Sequence, residues 1–155
     1  MGIVKALRFP VRARWFGGRL LRLDAPEKPA VRVTTPPELE GGLQGIWSPE
    51  DLLVGSVASR YELTLVSIAE RQDVPLHTLE VDATGQLERR PQGGYGFAAV
   101  ELDVALATDP GRELDAEEVA LLAERHCLVG RALAIPVRLR RVEAHAASFA
   151  VEAAA

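Results

Sequence analysis

The chain has 155 residues, enough for one domain of ordinary size and too few for a sizeable second core. A hydrophobic content of 48% beside 26% charged residues is the balance of a globular protein, not of a disordered one. The net charge of −4 speaks against a basic nucleic-acid or anionic-membrane surface, and the single cysteine excludes an internal disulfide or a cysteine-rich metal site.

The small basic clusters at residues 12–14 and 138–141 read as solvated strand faces. His77, His126 and His145 share no ligand spacing, so neither a metal nor another cofactor is expected. No apolar run approaches the length that crosses a bilayer. Lys5, Arg8 and Arg12 interrupt what would be a signal-peptide core, so the expected location is cytoplasmic.

In chain order, residues 3–9 and 11–16 alternate loosely, as half-buried strands do. Gly17 and Gly18 make a turn, and residues 19–24 return as the second strand of a hairpin. A proline-bearing turn at 25–29 leads to a short strand at 31–34, stopped by Pro36 and Pro37. Residues 38–45 form a glycine-bearing loop suited to close approach by a ligand or another surface.

The next stretch, residues 48–70, organises the rest. Ser48 is a helix cap, Pro49 suits the first helical position, and Glu50 and Asp51 suit the positive end of the helix dipole. Ser48 and Asp51 stand at capping-box spacing, with Trp47 ahead of them as a hydrophobic staple. From Leu52 to Ala69 only Arg60 and Glu62 carry charge, which is the pattern of a buried helix. Arg60 therefore needs a partner, because an unpaired buried charge is costly. Its neighbours at helical spacing, Ser56, Val57, Leu63 and Thr64, offer no carboxylate.

Residues 79–89 and 96–107 alternate around a glycine turn as a second hairpin, with Phe97 out of register. Residues 109–114 link to a second helix capped by Asp115, which carries Cys127 and ends near Leu133. Strands follow at 137–142 and 148–152. The order is that of an α+β protein, helices on a largely antiparallel sheet.

Four stretches carry a resemblance: Gly17-Gly18-Arg19; Thr34-Thr35-Pro36-Pro37-Glu38-Leu39-Glu40-Gly41-Gly42; Trp47-Ser48-Pro49-Glu50-Asp51-Leu52-Leu53; and Ala123-Glu124-Arg125-His126-Cys127-Leu128-Val129-Gly130-Arg131-Ala132-Leu133. With the element order over nearly the whole chain, they make it resemble the OsmC/Ohr hydroperoxide-resistance family. The resemblance implies one OsmC-like domain over 1–155, with antiparallel sheets, a long buried central helix and a second, cysteine-bearing helix. It implies an intertwined homodimer with sites at the subunit interface. It also implies a peroxiredoxin-like role in oxidative stress: reduction of organic hydroperoxides by a peroxidatic and a resolving cysteine, recharged by an external thiol. Arg19 and Glu50 match the family's assisting arginine and glutamate, and Cys127 its resolving cysteine. Arg60 falls where the peroxidatic cysteine belongs, so the two-cysteine cycle is lost.

Glu50 and Arg60 are ten residues apart, about 15 Å of rise along one straight helix, so for both to belong to one site either Arg19 bridges them or the site borrows from a second subunit. If family geometry holds, Arg60 sits near Cys127, where a guanidinium favours the thiolate. That reading makes Cys127 a one-cysteine peroxidase passing through a sulfenic acid. Against it stand a buried structural cysteine, a structural ion pair at Arg60, a dipole role for Glu50 and a solvated Arg19. A non-enzymatic homodimer binding a small hydrophobic ligand is the alternative function. His126 points about 100° away from Cys127, so no Cys–His dyad is expected, and Tyr61 and Trp47 read as core or interface.

Overall fold

The structure, a computed structural model, describes residues 6–39 and 41–148, arranged in two compact units, Met1–Leu52 and Leu53–Ala155.

The first unit is a three-stranded antiparallel sheet in the order β1 (Arg12–Trp15), β2 (Leu20–Asp24), β3 (Val31–Thr34). The β1–β2 turn needs its two glycines, since both have positive φ, where a side chain would be strained. Trp15 Nε1 donates to the Gly18 carbonyl at 3.0 Å and closes that turn. Arg14 and Arg22 both reach the Asp24 carboxylate, and the Arg14 hydrogen bond leads in holding it below the usual range. The strand expected over 3–9 does not form at residues 6–9, which lack regular structure, and residues 3–5 lie outside the described ones. Its apolar residues Leu7 and Phe9 are exposed, so the loose alternation there has no core to face.

The helix α1 (Pro49–Arg71) starts where its residues dictate. Ser48 Oγ accepts from the Asp51 N–H at 3.0 Å, and the Asp51 carboxylate accepts from the Ser48 N–H at 2.8 Å. Both orphan amides are thereby satisfied by one reciprocal pair. Trp47 is 57% exposed and does not bury itself as a staple.

In the second unit a three-stranded sheet runs β4 (Thr78–Arg89), β5 (Tyr95–Thr108), β6 (Val137–Ala146), with β5 central. The β4–β5 hairpin is antiparallel, and its register shifts where Gln86 pairs with Ala99 but Leu87 with Phe97. That irregularity is the physical reason Phe97 breaks the alternation. β6 pairs with β5 in parallel, a departure from the antiparallel arrangement expected. Parallel pairing needs a long crossover, and α2 (Glu113–His126) with α3 (Leu128–Ala132) supplies it.

The core of this unit joins Val57, Tyr61, Leu65 and Ile68 of α1 to Val100, Leu102, Val104 and Leu106 of β5 and to Ala116, Val119 and Ala123 of α2. Those α1 positions recur every three or four residues, so the helix buries one side only. Gly85 permits the close approach, because a Cβ there would stand 2.6 Å from Val54 Cγ2. Among the described residues α1 is the one helix long and apolar enough, by length and composition, to cross a membrane. The expectation of no such run is corrected: Arg60 and Glu62 interrupt it too little. Here Val57, Tyr61, Leu65 and Ile68 of that helix pack in the core with β5 and α2, while Leu63 is exposed.

Two helix boundaries also differ. α2 begins at Glu113, ahead of Asp115, whose carboxylate binds the Arg112 guanidinium and does not cap. The chain turns earlier than the pattern suggests, through an Arg112 N–H bond to the Asp109 carbonyl at 3.0 Å. The helix expected through Leu133 breaks at Cys127, which is extended between α2 and α3. Of the strand expected at 148–152, residue 148 has no regular structure and the rest lies outside the described residues.

Two outcomes follow from this packing. Leu102→Ala removes a fully buried side chain from the central strand and is expected to lower unfolding free energy by about 2–5 kcal/mol in a urea titration. The hydrogen bond from Arg140 is the largest influence on Asp103 and, against burial, holds its carboxyl below the usual range. A depressed folded-state pKa adds stability above the unfolded value of about 3.9, and that stability is lost as pH falls through the folded value. Acid titrations should therefore show Asp103→Asn losing less stability below about pH 4 than the parent chain.

Candidate functional site

The first unit brings two of the four expected site residues near one loop. The 35–46 loop is pinned at its base: the Thr34 N–H donates to the Trp47 carbonyl at 2.9 Å, and Val33 bridges Trp47 in parallel. Inside it, the Leu39 N–H donates to the Pro36 carbonyl at 2.9 Å and the Gly42 N–H to the Leu39 carbonyl at 3.2 Å. Gly42 has no room for a side chain, since a Cβ would fall 2.2 Å from the Pro36 oxygen. Gly41 has positive φ, and the Arg19 side chain lies across it, with Cγ 2.9 Å from where a Cβ would be. The two glycines thus make a floor over which Arg19 extends while remaining exposed.

Glu50 follows in the first turn of α1, where its charge complements the helix dipole. One of its carboxylate oxygens is buried and has no hydrogen-bond partner. A dipole role alone leaves that atom unexplained, because a buried unpaired acceptor is costly. Thr34 Oγ1 is in the same condition.

The second unit holds Arg60 and Cys127, and both differ from expectation. Arg60 is exposed, and its guanidinium has neither ion pair nor hydrogen bond among the described residues. The premise of a buried charge is corrected: α1 is apolar nearly all round by composition yet covered on one side only. Tyr61, not Arg60, faces inward. Its hydroxyl donates to the Ala120 carbonyl at 2.9 Å, and burial, with Glu124 and then Cys127 nearby, pushes the phenol far above its ordinary range.

Cys127 is 2% exposed. Its sulphur accepts from the Gly130 N–H at 3.4 Å, and the added Cβ of any larger residue at Gly130 would lie 3.5 Å from it. No charged side chain hydrogen-bonds or ion-pairs with it among the described residues. Glu124, near Tyr61, is occupied in holding β6 by accepting from the Leu139 N–H at 3.2 Å. Among the described residues no three His, Cys, Asp or Glu side chains gather where a metal could bind.

One family description, OsmC-like protein, matches residues 42–140. The chain belongs to the OsmC-like family.

Solved OsmC-like and hydroperoxide-resistance structures superpose over nearly the whole chain. An OsmC-like protein of unknown function from Vibrio cholerae aligns with a TM-score of 0.78 at 15% identity, over 90% of this chain and 100% of that one. An organic hydroperoxide resistance protein from Elizabethkingia anophelis gives 0.75 at 19% identity, over 92% and 100%. One from Legionella pneumophila, described as OsmC, gives 0.74 at 24% identity, over 90% and 99%. At such identities the likeness is one of fold. No curated protein matches the sequence.

Sequence reasoning quoted Thr34 only within a stretch that carries the resemblance and gave it no role of its own, because a threonine ending a short strand has no distinguishing pattern. Only the unpartnered buried hydroxyl marks it. The loop itself is testable. Gly42→Ala must displace the Pro36 carbonyl and is expected to lower the melting temperature by several degrees, whereas Gly45→Ala, with open space around it, costs only positive-φ strain.

Proposed function

We propose that this OsmC-like protein binds a small apolar molecule in the chemical range of organic hydroperoxides without running a two-cysteine peroxidase cycle. The observation that carries the reading is the pairing of an exposed arginine at position 60 with one buried cysteine, Cys127, in a chain that has no other. A cycle of that kind needs two sulphurs within disulfide reach.

We further propose that the protein works as a homodimer in the cytoplasm. Trp15, Phe16, Leu63 and Leu128 are exposed, with Leu128 beside Cys127, and apolar side chains on this scale favour burial against another chain. Arg19 and Glu50 then serve as binding residues rather than as partners of a reactive thiol.

A second reading, one-cysteine chemistry at Cys127, is favoured by one contact. The Gly130 N–H already donates to the sulphur, as it would to a thiolate. In that chemistry the thiolate attacks the distal peroxide oxygen, the O–O bond breaks, an alcohol leaves after taking a proton, and an external thiol reduces the sulfenic acid.

One experiment separates the two. With cumene hydroperoxide and an excess dithiol, the parent chain should consume peroxide no faster than Cys127→Ala. A rate at least tenfold above that variant would establish one-cysteine chemistry and sink the binding reading. In the same assay Arg60→Cys should gain dithiol-dependent turnover and form an internal disulfide with Cys127 on mild oxidation.

A further inference from the structure

The outer face of α2 carries apolar surface and charge that the described residues leave unpartnered. Leu114 and Leu121 are 75% and 48% exposed, although leucine gains by leaving water. Glu118 and Arg125 are exposed beside them, and Leu122 is half-buried. At helical spacing these five side chains fall within about 100° of arc, opposite Ala116, Val119, Ala120 and Ala123, which pack in the core. Glu118, Leu121, Leu122 and Arg125 together line one groove of about 240 Å³.

Glu118 and Arg125 are about two turns apart, so they leave the middle of that face in nearly the same direction, about 10 Å from each other along the helix. They do not pair with each other, and neither has an ion pair or hydrogen bond to another side chain among the described residues.

A second copy of the chain, laid antiparallel on this face, satisfies charge and apolar surface at once. A two-fold axis midway between Glu118 and Arg125 also passes midway between Leu121 and Leu122. Each Glu118 then meets the partner's Arg125, and the leucines of both copies close around the axis between the two ion pairs. A parallel arrangement would set glutamate on glutamate and arginine on arginine, and repulsion disfavours it. The rest of the helix agrees. Glu113 and Asp115 lie in its first turn and Arg125 and His126 in its last, so antiparallel pairing opposes unlike ends.

We propose that the outer face of α2 is a self-complementary interface for a second copy of this chain. It does not use Trp15, Phe16, Leu63 or Leu128, the residues of the homodimer contact proposed above, and so doubles whatever assembly that contact makes. Two helices of about four turns each bury little area, so the association is expected to be weak and reversible.

The test is sedimentation equilibrium of the full chain from about 10 µM to about 1 mM, the range in which so small a contact dissociates. The parent chain is expected to show a reversible doubling of mass. Glu118→Arg or Arg125→Glu alone sets like charges together at both symmetric pairs and should weaken the doubling about tenfold. The double variant restores both pairs with their signs exchanged and should return to within about threefold of the parent.

Absence of doubling in the parent chain would overturn the proposal. So would single reversals without effect, or a double variant that does not recover. A dimer insensitive to both reversals leaves the homodimer reading standing while this one fails. Should a reversal not fold, Leu121→Ser decides in its place, because it removes the apolar centre of the same contact and should weaken the doubling as much.

Discussion

The rotation of α1 about its own axis is the constraint on which most of this structure depends. Tyr61 sets it. A tyrosine buried completely must find an acceptor for its hydroxyl, and the Ala120 carbonyl on α2 is the acceptor it finds. With Val57, Leu65 and Ile68 turned the same way, the helix has one admissible orientation against β5. The residue before Tyr61 is then carried about 100° round the helix, out of the core. Arg60 is exposed because Tyr61 is buried.

At the other end of the helix the controlling interactions are local. The reciprocal Ser48–Asp51 bonds fix where α1 starts, and the Thr34 N–H to Trp47 bond fixes where β3 meets that start. Between them the chain must close a loop of about a dozen residues, and the closure is tight enough that Gly42 admits no side chain. Such a loop costs backbone freedom, and its hydrogen bonds return only part of that cost. The unpartnered oxygens of Thr34 and Glu50 add to the cost.

Much of this was legible from residue order alone, for identifiable reasons. Strict alternation marked the β4–β5 hairpin, and a capping box placed the start of α1 to the residue, because both are short-range rules written within a few positions. The loop glycines declared a close approach. What stayed hidden depends on partners distant in sequence. The alternation of β6 is the same whether its neighbour is parallel or antiparallel, and only the α2–α3 crossover decides. Composition suggested a helix buried on all sides, but coverage depends on what lies beyond it, and here the sheet and α2 cover one side. Asp115 had the chemistry of a cap, yet Arg112 took its carboxylate when the chain turned earlier. For the site, Arg19 and Glu50 were visible through the family resemblance, while the unsatisfied hydroxyl of Thr34 was not, since it is a fact about space.

The same geometry accounts for how a protein of this family can carry arginine at position 60. On the exposed flank of α1, within a single chain, the side chain touches no core residue that its size must match. Substitutions at such positions usually change stability by less than about 0.5 kcal/mol. Arginine is also among the better helix formers, so the backbone does not resist it. Cys127 is different: its sulphur caps α3, lies against Gly130 and is buried in the core that holds Tyr61, so packing alone can retain it.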